Sequence, residues 1–133
     1  MNVKVFFDEI SNYVSTHYHI RPQLKYVNDK TIDVSYSPGL FIPPAMITLR
    51  IDAMRKDVVC LSYHCSVAVN MLISGAVSHI GNKLPKGVEI DTTEKRINLF
   101  LEQINELKSV LNYVQPEGIR FNEDGAELIV RLR

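Results

Sequence analysis

The strongest constraint on what this chain can fold into is a strict alternation between Ile47 and Ala53. Ile47, Leu49, Ile51 and Ala53 are apolar, and Thr48, Arg50 and Asp52 between them are polar. A period of two sends successive side chains to opposite sides of a strand, so this run has one dry face and one wet face. Met54-Arg55-Lys56 turns the chain into a second run, Val58 to Cys65. There Val59, Leu61, Tyr63 and Cys65 make one face apolar, and Val58, Cys60, Ser62 and His64 make the other nearly so. A strand of that composition is expected at the centre of a sheet, covered on both sides. Two further hairpins follow the same logic. Leu24–Val27 and Thr31–Tyr36 flank a turn at Asn28-Asp29-Lys30; Ile119 and Phe121 face Leu128, Val130 and Leu132 across Asn122–Gly125. Gln115-Pro116-Glu117-Gly118 is expected to break the chain before this last hairpin.

Helical spacing appears in other segments. Val3, Phe6, Phe7, Ile10, Val14 and His17 recur at steps of three and four. They predict a helix from Val3 to about His17, with Asn2 as its N-cap and Asp8-Glu9 at the positive end of its dipole. Ser66 to Ile80 predicts a second helix, closed by Gly81. Val69, Leu72, Ile73, Ala76 and Ile80 form its stripe, and Val67, Met71 and Val77 add apolar surface beyond it. A helix apolar nearly all round is buried, or is covered by a partner or ligand.

Residues 92–114 allow two readings. Asp91-Thr92-Thr93-Glu94 resembles a helix start, leading into one long helix through Val114. Alternatively Val88 and Ile90 pair with Ile97, Leu99 and Leu101 as a hairpin turning at Thr92–Lys95, and a shorter helix runs from Ile104 to Val114. The hairpin is favoured because it leaves no isolated strand at Val88–Asp91. The pattern as a whole predicts an α+β fold, an antiparallel sheet of hairpins packed on one face by about three helices. Three helix–hairpin units suggest a loose structural repeat. No linker or composition shift divides the 133 residues, so 1–133 is read as one domain. The predicted core is Val34, Leu49, Ile51, Val59, Leu61, Leu72, Ile104, Leu111, Phe121 and Val130.

Composition narrows the function classes. Fifteen Lys and Arg balance fifteen Asp and Glu. Nucleic-acid binding normally draws on a basic surplus, so it is not expected; zero net charge leaves self-association open. Two cysteines are too few for a secreted disulfide framework. Acidic residues at Asp8-Glu9 come too early for the apolar core of a signal peptide, and no run is long enough to span a bilayer, so a cytoplasmic location is expected. Cys60 and Cys65 lack the close-pair spacing of structural zinc ligands, and His17 and His19 do not supply it, so no metal is expected. No Gly-x-Ser-x-Gly elbow and no glycine-rich phosphate cradle occurs. Cys65 has no basic neighbour to activate it. Glu102 and Glu106 would be i and i+4 on a long helix, most simply as a solvated face. The chain therefore reads as non-enzymatic, with no catalytic residues and no cofactor.

Apolar side chains in unusual places remain. Leu40, Phe41 and Ile42 lie between Gly39 and Pro43-Pro44, where no regular element can carry them inward. Met71 and Ile73 lie on the apolar Val67–Ile80 helix. These five are the expected ligand- or partner-binding residues. The order of elements from Ile73 to Arg133 is similar in outline to that of small bacterial lipid-binding domains of the tubular-lipid-binding type. The shared outline is an apolar helix (Met71–Ile80), a Lys-Leu-Pro loop (Lys83–Pro85), alternating strands, a short apolar helix and a closing hairpin. That resemblance implies an apolar small molecule, such as an acyl chain, held between sheet and helices. The other expectation is a protein-interaction module, a homo-oligomer or a subunit of a cytosolic assembly.

Overall fold

The computed structural model describes residues 1–37 and 44–133, with the side chains of Asn82 and Glu106 left aside. Its elements are, in chain order, β1 (Asn2–Phe6), α1 (Phe7–Tyr18), β2 (Gln23–Asn28), β3 (Thr31–Tyr36), β4 (Ala45–Arg55), β5 (Val58–His64), α2 (Val67–Ile80), β6 (Val88–Asp91), β7 (Arg96–Phe100), α3 (Asn105–Leu111), β8 (Val114–Phe121) and β9 (Gly125–Leu132). Single 3₁₀ turns follow α2 and precede α3. The α+β class holds, with the strands divided between two antiparallel sheets rather than gathered in one. The larger runs β2-β3-β4-β5-β7-β6 and the smaller β1-β9-β8.

Register sorts the faces of the large sheet. Ile32 is paired with Leu49, Val34 with Ile47, Ile51 with Leu61 and Val59 with Leu99, so these side chains share one side. They meet Val114, Phe121, Leu128 and Val130 of the small sheet, Phe7 of α1 and Leu111 of α3 in a single hydrophobic core. The opposite side of the large sheet is mostly polar, with Thr48 donating to Asp33 at 3.0 Å, and there Val58, Cys60 and Ser62 of β5, expected to be covered on both sides, are only half-buried. β5 is central, flanked by β4 and β7, and Val59 has 0% of its surface exposed. Of the predicted core, Ile51, Val59, Leu61, Leu111, Phe121 and Val130 are buried, and Val34, Leu49 and Ile104 pack against them. Leu72 does not: it is 67% exposed.

Two sequence expectations are corrected here. The predicted helix from Val3 is a strand up to Phe6 and a helix only from Phe7. β1 finds a partner in β9 with Val3 opposite Leu128, and that long-range ladder overrides the local helical spacing. Asn2 is accordingly in a strand, and the carboxylate of Glu9 accepts the Phe6 N–H at 3.1 Å where the helix begins. The expected break at Gln115–Gly118 lies inside β8. Proline is tolerated there because β8 is an edge strand, and a register shift between Pro116 and Gly118 absorbs the irregularity. Residues 92–114 adopt the hairpin reading, with Val88 opposite Leu99, Ile90 opposite Ile97, and a short α3 after them.

The two sheets are joined where the β2–β3 turn meets β8: Phe121 N–H donates to the Asp29 carbonyl at 2.7 Å. Gly125 is required where β9 leaves its turn, because a Cβ there would stand 2.5 Å from the Val5 carbonyl oxygen.

Candidate functional site

Helix α2 is placed by the strand before it. β5 ends at His64, and Ser66 caps the helix by accepting the Val69 N–H on its hydroxyl at 3.2 Å. Gly81, at φ 55°, ends it. A polar side chain ties α2 to the body. Asn70 accepts the Tyr63 hydroxyl at 2.8 Å and donates its amide to the Thr92 carbonyl at 3.1 Å. It thereby joins α2 to the end of β5 and to the β6–β7 turn. Burial raises the Tyr63 pKa, with smaller contributions from Cys65 and Asp91, so the hydroxyl keeps its proton for this bond.

The helix has two unlike faces. Val69, Asn70, Ile73, Ser74, Val77 and Ile80 are half-buried toward the body, and none of the fourteen residues is fully buried. Val67, Ala68, Met71, Leu72, Gly75 and Ala76 face outward, with Ser78 and His79. Val67 is 76% and Met71 70% exposed. The helix is thus apolar on both faces: Val69, Ile73, Val77 and Ile80 accompany Asn70 and Ser74 on the inward side, and Val67, Met71 and Leu72 on the outward side are apolar too. No residue of α2 belongs to the hydrophobic core.

Of the five expected site residues, Met71 is on the outward face and Ile73 on the inward one, so they do not share a surface. Leu40, Phe41 and Ile42 lie outside the described residues. Sequence reasoning missed Val67 as a surface residue and assigned Leu72 to the core. The signal that could have separated the faces was Asn70 with Ser74, two polar positions four apart that mark the side making hydrogen bonds.

Other concavities offer less chemistry. An open depression of about 740 Å³ is lined by Glu102, Lys108, Ser109, Leu111, Asn112 and Arg133. The Glu102 pKa is raised by a hydrogen bond with Asp57 and by the Asp57 charge, and Arg133 opposes that shift. Charges of both signs leave it without a single-sign field for a charged ligand. Glu102 lies on the 3₁₀ turn ahead of α3, so the long-helix spacing to Glu106 does not arise. His17 donates from Nδ1 to the Tyr13 carbonyl at 2.9 Å and stacks on that tyrosine, while His19 forms the left-handed cap of α1. Cys60 and Cys65 are free and half-buried. Among the described residues no three His, Cys, Asp or Glu converge as a metal site, and no helix is long and apolar enough to cross a membrane. No protein-family model, curated protein or solved structure matches this chain.

Proposed function

We propose that this chain is a non-catalytic protein-interaction module that docks through the outward face of α2. The observation that carries this reading is the exposure of Val67, Met71 and Leu72 together on one helix face. Burying them against a partner would contribute on the order of 3–6 kcal/mol, because a fully buried side chain of this size is worth roughly 1.5–3 kcal/mol. Helices recognised in a groove present their anchors at this kind of spacing, and methionine adapts to irregular partner surfaces. The outward face holds no Lys, Arg, Asp or Glu, so shape and apolar area select what it meets. Carriage of an apolar ligand, which the resemblance implies, draws less support. Met71 and Ile73 do not line a common space, and the inner faces of the sheets are packed against each other.

The test is a photo-reactive benzophenone amino acid in place of Leu72, irradiated in the producing cell, with the same group in place of Arg50 as control. A protein adduct from position 72 and none from position 50 is expected. Adducts with lipid alone, or none, would overturn the reading.

A further inference from the structure

The outward face of α2 carries a size pattern that identifies its counterpart. Its large side chains, Met71 and Leu72, lie in the first half of the helix, and its notch, Gly75 and Ala76, lies one turn later. A Cβ built on Gly75 would have no atom within 4 Å, so the notch is open on the outside. Rows of residues four apart form the ridges of this face, the geometry in which two helices cross with ridges in each other's grooves. When a second α2 is laid antiparallel, with a twofold axis at the level of Ile73 and Ser74, Leu72 of each copy meets Gly75 of the other. Met71 meets Ala76, and Ala68 meets His79. A parallel arrangement would set Met71 against Met71 and leave gap facing gap.

We infer that α2 docks on α2 of a second copy of this chain, antiparallel across that axis; the inference rests on the reading of α2 as a docking helix. Charge agrees with this occupant. The face is uncharged, and the chain has fifteen basic and fifteen acidic residues, so copies approach without net repulsion. A lipid surface is a poorer match, since helices that lie on membranes flank their apolar face with Lys and Arg, and α2 has none. One helix face, with Val67, Met71 and Leu72 its most exposed large side chains, is small beside a standard interface, so the dimer is expected to form only as concentration rises.

Sedimentation velocity of the full chain over a wide concentration range tests this. A shift from 15.2 kDa toward twice that mass is expected as concentration rises. Gly75→Leu fills the notch where the chain itself has open space, and it favours the helix, so the monomer keeps its fold. It is expected to weaken the dimer about tenfold or more. A chain monomeric throughout, or a dimer unaffected by Gly75→Leu, overturns the inference. Orientation is read by disulfide trapping after Cys60→Ser and Cys65→Ser. Ala68→Cys mixed with His79→Cys is expected to cross-link, and preferential linking of Ala68→Cys to itself would overturn the antiparallel arrangement. The benzophenone at position 72 separates the two levels. An adduct containing only this chain supports both, an adduct with a different protein overturns self-docking and leaves the interaction module standing, and no protein adduct overturns both.

Discussion

β5 and α2 are separated by two residues, are both rich in apolar side chains, and have opposite fates. Val59, Leu61 and Tyr63 of β5 are buried, whereas no residue of α2 is. Hydrophobicity does not distinguish them; backbone hydrogen bonding does. A strand meets its backbone hydrogen bonds only through neighbouring strands, and β5 finds one on each edge in β4 and β7, which bring their own apolar side chains with them. A helix satisfies its backbone internally, so nothing draws α2 inward except its side chains. Its half-buried Val69, Ile73, Val77 and Ile80 face the body without entering the core, and Asn70 ties it there by two hydrogen bonds.

That contrast can be broken or sharpened by substitution. The largest effect is expected at Leu61→Ala, about 2–5 kcal/mol lost in urea unfolding, because it opens a cavity under a central strand. A loss below about 1 kcal/mol would show that β5 is less enclosed than its 7% exposure indicates. Gly125→Ala follows. Its new methyl would press on the Val5 carbonyl, with an expected loss of about 1–3 kcal/mol and a lower melting temperature. Asn70→Ala leaves the Tyr63 hydroxyl and the Thr92 carbonyl without their partner. It should cost about 1–3 kcal/mol and speed hydrogen exchange in the amides of α2 more than in those of β5. Unchanged exchange in α2 would mean that Asn70 is not its tether. Leu72→Ala, the formal equal of Leu61→Ala, should alter stability by no more than about 0.5 kcal/mol. A cost of several kcal/mol would place α2 in the core after all.

The smallest expected effect concerns pH. Hydrogen bonds from Asn122 and Arg120 hold the Glu127 carboxyl below its ordinary pKa. A depressed carboxylate contributes stability that is fully present above the unfolded-state value and is lost as pH falls through the folded one. Glu127→Gln should therefore flatten the decline of stability on the acid side of the ordinary glutamate range. An identical acid limb in both proteins would show the bonds to be without consequence.

The sheet was largely legible in the sequence because alternation is a local signal that also encodes burial. The alternating runs at Ile47–Ala53, Val58–His64, Val88–Asp91 and Arg96–Phe100 are strands as expected, with Cys65 and Leu101 just beyond their ends, and Asn28 accepts the Lys30 N–H in the expected turn. What was not legible depended on partners distant in sequence. Val3 to Phe6 has acceptable helical spacing, and only the presence of β9 makes it a strand. Gln115–Gly118 looks like a break until β8 is known to lie at an edge. The faces of α2 were not legible for a different reason. Periodicity tells which residues of α2 share a face, but not which face turns to the protein. Met71 and Leu72 are both exposed, although Leu72 was assigned to the core, and the deciding signal was the pairing of Asn70 with Tyr63 and Thr92.

The small sheet has one more consequence, for the order of events as the chain is made. β1 leaves the ribosome ahead of the other described strands, and β9, its strand partner among the described residues, is the last of them to follow. Val3 and Val5 must therefore wait unpaired while the large sheet, whose neighbours are mostly consecutive in sequence, can already assemble. Closing so long a loop is slow, and an unpaired apolar edge is adhesive while it waits. Pulse-labelled hydrogen exchange during refolding should accordingly find amides of β4 and β5 protected before those of β1. Simultaneous protection would mean that the two ends of the chain meet early.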